Sequence, residues 1–275
     1  MLGSTSRLRR AATAIAAVVL LGFTAACSID PGAASGDTTS STATEPGEVT
    51  IYFTRHGQTW LNTVDRVQGW SDSPLTETGR EQADTLGHGL ADAGIDVDAA
   101  YSADMIRHYE TATRVLAAMG ESDLEPVRDE GLREIAFGDW EGAKNEEMWT
   151  EIAGILGYED YDALVADMEN LNLSEVFDTV APHFQTDGLV YEGGAETGER
   201  ALGALTKIAE EQSEAGGGEV LVISSGLTIV MTLIDLGADP AELSGGIHNG
   251  SVSELHYADG EWTIVSMNDG SYAGH

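Results

Sequence analysis

The sequence predicts an α/β fold: a three-layer α/β/α sandwich with a mostly parallel sheet and a helical cap insertion. Three observations carry this expectation. Two short runs of β-branched and aliphatic residues, 49–54 (VTIYFT) and 219–224 (EVLVIS), read as strands buried on both faces. Longer segments with apolar residues at helical spacing lie between and around them, the alternation that yields a parallel sheet covered by helices. Residues 145–195 carry helical patterns without a clear strand, and they read as a cap over that sheet.

The first 26 residues are set apart from the domain. Arg7, Arg9 and Arg10 precede an apolar run over 11–23, followed by Thr24-Ala25-Ala26-Cys27. A basic head, a short apolar core and small residues before a cut are the parts of a secretory signal peptide. The run is too short to favour spanning a bilayer. Cys27, the one cysteine in the sequence, stands where a bacterial lipoprotein signal is cut and acylated. The expectation is a lipid anchor at Cys27 on the extracellular face of the cell membrane. Residues 28–48 are rich in Ser, Thr, Gly, Ala and Pro and nearly empty of large apolar side chains, so they read as a disordered tether. Residues 49–275 remain for one domain. With no second cysteine for a disulfide, its core must hold it.

Within the domain, residues 77–93 form a predicted helix with Ala83, Leu86 and Leu90 inward and a capping box from Thr78 and Glu81. Residues 99–102 read as a short strand. Over 105–119, Met105, Tyr109, Ala112, Leu116 and Met119 fall on one helical stripe. A further helix over 198–215 turns Leu205, Ile208 and Ala209 inward and ends at Gly216-Gly217-Gly218; Gly193-Gly194 reads as loop. A helix over 228–236 and closing strands over 251–257 and 262–267 complete the chain.

Charge narrows the partners. The chain has 13 Lys+Arg against 47 Asp+Glu, a net charge of −34, and losing the three signal arginines takes it to −37. Such a surface opposes non-specific nucleic-acid binding and repels anionic lipid headgroups. The histidines are scattered and no His-Glu-x-x-His occurs, so no metal site is expected. No glycine-rich nucleotide fingerprint follows either strong strand, and no cofactor is expected.

The chemistry lies just past the first strand, in Thr54-Arg55-His56-Gly57-Gln58-Thr59. A guanidinium fork matches phosphate oxygens, neutral imidazole is a nucleophile, and glycine lets the backbone approach an anion. The second strong strand ends at Ser224-Ser225-Gly226. Ligands of such sheets bind beyond the carboxyl ends of the strands, where both tripeptides lie. Further on come Asn62, Gly69-Trp70-Ser71-Asp72-Ser73-Pro74-Leu75-Thr76, Gly79 and Gln82-Ala83. Ser102 with Arg107 and Thr111-Ala112 follows, then Leu132-Arg133-Glu134 and Phe137-Gly138-Asp139-Trp140-Glu141-Gly142. In order and spacing this set resembles the histidine phosphatase (phosphoglycerate mutase-like) superfamily over nearly all of residues 49–275.

The resemblance implies that His56 accepts a phosphoryl group and that Arg55 and Arg107 clamp its oxygens. Asn62 is implied as a further donor and Glu134 as the general acid, later helping to activate water. Arg66 and Arg133 are weaker candidates for substrate contact. One position departs. The resemblance implies a second catalytic histidine where Ser225 stands, and Ser225 there keeps a phosphate donor but drops a charge. Losing one preorganised donor typically costs about 3–4 kcal/mol of transition-state stabilisation. His248, His108 and His183 are the candidates for compensation. His108 adjoins Arg107 and so points about 100° away from it on a helix. Ser225 as a hydrolase nucleophile is rejected, because Gly-x-Ser-x-Gly is absent around it.

Two functions follow. The first is a phosphomonoesterase acting on a small-molecule phosphate ester through a phosphohistidine at His56. The alternative is a non-catalytic phosphate-ester binding or sensing lipoprotein, weakened or inactivated by Ser225. The cap would select the substrate, and Trp149, Tyr158 and Tyr161 with its acidic residues do not suit a polyphosphate. The sequence carries no sign of oligomeric state.

Overall fold

The computed structural model describes residues 46–274; the signal segment, Cys27 and the tether up to residue 45 lie outside the described residues. In chain order the domain runs through strand β1 (Val49–Arg55), helices α1 (Trp60–Thr63) and α2 (Glu77–Asp92), strand β2 (Ala99–Ser102), helix α3 (Ile106–Met119) and strand β3 (Val127–Arg128). Four helices follow, α4 (Asn145–Leu156), α5 (Tyr161–Ala166), α6 (Leu173–Val180) and α7 (Gly194–Ala215). Strand β4 (Gly218–Ser224), helix α8 (Gly226–Asp235) and strands β5 (Val252–Ala258) and β6 (Glu261–Asp269) complete it.

The sheet has six strands in the order β3-β2-β4-β1-β5-β6. Its first four strands pair in parallel, while β5 and β6 pair antiparallel. The closing strands therefore form a hairpin, so the sheet is mixed. Asp259 (φ 53°) and Gly260 (φ 84°) turn it, two left-handed residues whose twist matches the flanking strands.

Both central strands are buried on two faces, as continuous apolar runs require. Ile51, Phe53, Val220 and Val222 point into one core with residues of α7 and α8 and of the helical segment 145–193. Tyr52, Leu221 and Ile223 alternate into a second core with α2 and α3, through Leu86, Leu90, Val115 and Leu116. Three layers result. Arg55 lies opposite Ser224 in the β1–β4 register, so the tripeptides that follow the two strands stand side by side at one edge of the sheet.

Several local expectations change. Helix α2 starts a residue before Thr78 and is capped by Thr76, whose hydroxyl accepts from Gly79 N, so the Thr78–Glu81 box does not form. A capping box does occur between Thr59 and Asn62, at the unanticipated α1. In α3 the predicted stripe is displaced: Met105, Tyr109 and Met119 are half-buried, while Arg107, His108, Thr111 and Val115 join Ala112 and Leu116 on the buried face. Helix α7 begins at Gly194, four residues early, where a Cβ would stand 2.4 Å from the Ser174 backbone. The domain's hydrogen bonding also reaches before residue 49, since Gly47 N donates to Ser213 O and Gly218 N to Glu48 O.

Candidate active site

His56 follows the last residue of β1 and is almost fully buried. Its backbone N donates to Ser224 O at 3.0 Å, and its backbone O accepts from Asn249 Nδ2 at 2.8 Å. The ring Nδ1 lies 2.8 Å from Gly57 O. A carbonyl only accepts, so Nδ1 carries the proton of the neutral ring and Nε2 keeps the lone pair. Burial pushes the His56 pKa well below the usual histidine value, and the charges of Arg107 and Arg55 push the same way. The histidine is held neutral.

The turn after His56 depends on glycine at two positions. A Cβ on Gly57 would lie 2.3 Å from Gly79 O, and one on Gly79 would lie 2.0 Å from Gln58 O. The loop thus rests directly on the first turn of α2. Gly57 N then donates to Thr111 Oγ1 of α3.

The two predicted phosphate arginines differ. Arg55 lines the cavity and donates through Nη1 to Ile247 O. Arg107 is fully buried and does not line the cavity. Its Nη2 donates to Gly69 O at 2.7 Å, and its Nη1 to Ser71 O and Asp72 Oδ1, both at 3.1 Å. The Nε atoms of both arginines are buried without a partner. That 69–72 loop is shaped in turn by Glu141, whose carboxylate accepts from Gly69 N, Trp70 N and Ser71 N and from Phe137 N. The role of Glu141 was not evident in the sequence, where it stood as one acid of a motif.

Glu134 is buried at the start of α8. Its carboxylate accepts from Ile135 N, Leu227 N and Thr228 N and from the Thr228 hydroxyl, at 2.9–3.1 Å. The first amides of α8 thus meet an acidic side chain, the kind of group that a helix N-terminus favours. Arg200, also missed, grips the strand of chain that carries Glu134. It donates to Gly131 O and Arg133 O while pairing through two nitrogens with Glu192, itself bonded to Ala136 N. Spacing does not reveal such links across 67 and 69 residues.

His56, Arg55, Asn62, Arg66 and Glu134 line one cavity of about 390 Å³, walled by Val67, Phe137, Met148, Trp149, Tyr161, Leu227 and Ile247. Asn62 Oδ1 accepts from Thr59 N, which leaves its NH₂ as the uncommitted donor. Arg66 is exposed and donates to Gly142 O. Arg133 turns away into a two-point pair with Asp104. Tyr158 lies outside the cavity and bonds Asp167. His248 and His183 are exposed and do not line the cavity. His108 does reach the site: its ring centroid is 5.1 Å from that of His56, and its Nε2 lies 2.6 Å from Ser225 Oγ. The helical-wheel argument failed because the buried face of α3, between sheet and loop, is wide enough for both Arg107 and His108. A larger hollow of about 580 Å³ beside Glu48, Glu210 and Glu214 is lined by no cationic side chain, and its Ser213 hydroxyl donates to Gly47 O.

A buried, neutral histidine near two arginines, sharing a cavity with a carboxylate at the carboxyl ends of parallel strands, is the arrangement this three-layer α/β fold presents. The family model for the histidine phosphatase superfamily (branch 1) matches residues 51–270, and the chain belongs to that superfamily. It is similar to a 2,3-bisphosphoglycerate-dependent phosphoglycerate mutase of Parvibaculum lavamentivorans, 31% identical over 202 residues, 68% of this chain and 91% of the relative. It is 36% identical over 141 residues to the same enzyme of Rhizobium meliloti, covering 50% of this chain and 66% of the relative. The chain thus spans less than two thirds of that relative's length. The crystal structure of a phosphoglycerate mutase from Bacillus anthracis superposes with a TM-score of 0.74 at 37% identity, covering 84% of this chain and 97% of the other.

Proposed function

We propose that the protein is a phosphomonoesterase that works through a phosphohistidine at His56. The observation that carries this reading is the His56 ring itself: neutral, fixed through Nδ1, and beside Arg55 and Arg107. In the first step His56 Nε2 forms a bond to phosphorus as the ester P–O bond breaks. The phosphate ester enters as a monoanion whose proton passes to the Glu134 carboxylate, which shares the cavity, and from there to the leaving alkoxide. In the second step Glu134 takes a proton from water, whose oxygen attacks phosphorus and releases His56 and inorganic phosphate.

Hydrolysis suits this cavity better than mutase chemistry on a bisphosphate. A second anionic group would find Arg66, already bonded to Gly142 O, and the acid Asp65 among the remaining polar lining. An apolar depression of about 240 Å³ adjoins the cavity through Trp149, Tyr161, Leu227 and Gly246, with Val165, Met168 and Leu173 beyond. The alcohol of the substrate is therefore apolar or aromatic. Hydrolysis of an aryl phosphate by the purified domain tests this, run beside His56→Ala and beside 3-phosphoglycerate. Aryl phosphate turnover lost in His56→Ala supports the reading, and preferred isomerisation of phosphoglycerate would sink it.

Ser225 favours a second reading, a phosphate-ester binder without turnover, because it stands where the resemblance implies an imidazole, and its hydroxyl bonds His108 instead of lining the cavity. Tight binding of inorganic phosphate without turnover would establish it. We further propose that the enzyme acts outside the cell, anchored by lipid at Cys27. The basic head, apolar run and Ala25-Ala26-Cys27 support this. Intact-mass measurement of membrane-fraction protein decides it, and an unmodified Cys27 would refute the anchor.

A further inference from the structure

Three buried nitrogens around His56 have no partner: Arg55 Nε, Arg107 Nε and His108 Nδ1. They come from β1 and from two adjacent positions of α3. The His56 and His108 rings lie edge to face with centroids 5.1 Å apart, His108 following Arg107 on α3 and His56 following Arg55 at the end of β1. Unpartnered polar atoms are uncommon inside proteins, and each calls for a reason. Two belong to the arginines already assigned to phosphate. The third belongs to a histidine that the mechanism above does not use.

The Ser225 hydroxyl decides which way that histidine faces. Ser225 and His108 are both fully buried, with Oγ and Nε2 at 2.6 Å. Among the described residues Nε2 is the acceptor within reach of that hydroxyl proton, and the tautomer that accepts it leaves the hydroxyl satisfied. A neutral imidazole accepting at Nε2 carries its own proton on Nδ1. Fixing one ring nitrogen to define the task of the other is how proteins commonly set a histidine. His108 Nδ1–H is then a donor whose acceptor is not a protein atom, one ring away from the nucleophile.

We propose that His108, held by Ser225, is a catalytic residue of the phosphoryl transfer, its Nδ1–H donating to a non-bridging oxygen of the group that His56 receives. The imidazole comes from α3 instead of from the turn after β4, and Ser225 is its anchor. The bonds made and broken are those of the transfer to His56; His108 adds a hydrogen bond and moves no proton. This inference rests on the phosphoryl-transfer reading of His56.

The test separates the two ring nitrogens. An Asn side chain places its amide near Nδ1, and a Gln places it near Nε2. His108→Ala is expected to lower kcat for an aryl phosphate about 100-fold and to weaken inorganic phosphate binding about tenfold, with His108→Asn retaining more of both than His108→Gln. The double change Ser225→His with His108→Ala moves the imidazole across the site and is expected to recover activity over His108→Ala. Ser225→His alone places two rings in space fully filled by one and is expected to lose activity. Unfolding midpoints measured alongside identify variants that have lost the fold, and the Asn–Gln comparison then decides. Parent-like turnover and phosphate affinity in His108→Ala, or Gln outperforming Asn in both, would overturn the role of His108 while leaving the phosphatase reading intact. A parent protein that neither binds phosphate nor turns over substrate would overturn both.

Discussion

The pH behaviour of the site is settled by the environment of single side chains. Burial and nearby cations hold His56 and His108 neutral in the folded protein, well below the usual histidine pKa. In the unfolded chain they take up protons at about pH 6.5. Between those values the unfolded state binds more protons, so stability rises with pH and is lost as pH falls below about 6.5. The slope is at most about 1.4 kcal/mol per pH unit for each histidine. Urea unfolding at about pH 7.5 and pH 5.5 is expected to show the loss, smaller in His108→Asn than in the parent. The same shift keeps His56 unprotonated in acid. The kcat/KM profile should therefore lack a fall-off near pH 6.5, and a decline centred there would mean that His56 titrates as an ordinary exposed histidine.

At the scale of elements, the site is built by segments that hold one another. The Glu141 carboxylate gathers four backbone amides and so shapes the loop whose carbonyls grip Arg107. Glu141→Ala leaves those amides to find water or go unpaired, and a loss of about 3 kcal/mol follows, together with phosphate affinity. Arg200 does the same for the segment carrying Glu134, through the Gly131 and Arg133 carbonyls and Glu192. Arg200→Met should cost about 2–4 kcal/mol, read from denaturant midpoints, because it leaves the Glu192 carboxylate buried and unpaired. The Gly79 contact with Gln58 O is tighter still. Gly79→Ala must push the nucleophile loop off α2 or unravel that helix turn, and is expected to abolish turnover even where the fold survives. The strong elements were readable because their cues are local: β1 and β4 as apolar runs, α2 by its inward Ala83, Leu86 and Leu90. The short α1 and the two-residue β3 were not, since neither is long enough to show a period.

For the whole molecule, charge dominates. With 47 acids against 13 bases in the chain, the folded state concentrates like charge that the unfolded chain spreads out. Salt screens that repulsion, over about 8 Å at physiological strength. Thermal midpoints should rise as salt increases from about 0.05 to 1 M, and a flat response would mean that the acids are offset locally. The six-stranded sheet with its two cores supplies the rigid frame on which a site with several unpartnered nitrogens is tolerated.

The sequence by itself determined the family, the strand–helix order of the central layer and the positions of Arg55, His56, Arg107 and Glu134, because each is written in a short contiguous pattern. Only the tertiary structure decided that the start of α8 serves Glu134, that Arg200 fastens the acid-bearing segment, and that His108 reaches Ser225 across 117 positions of chain. Those contacts depend on how layers dock and on which donors burial leaves without water, and neither is encoded at any fixed spacing along the chain.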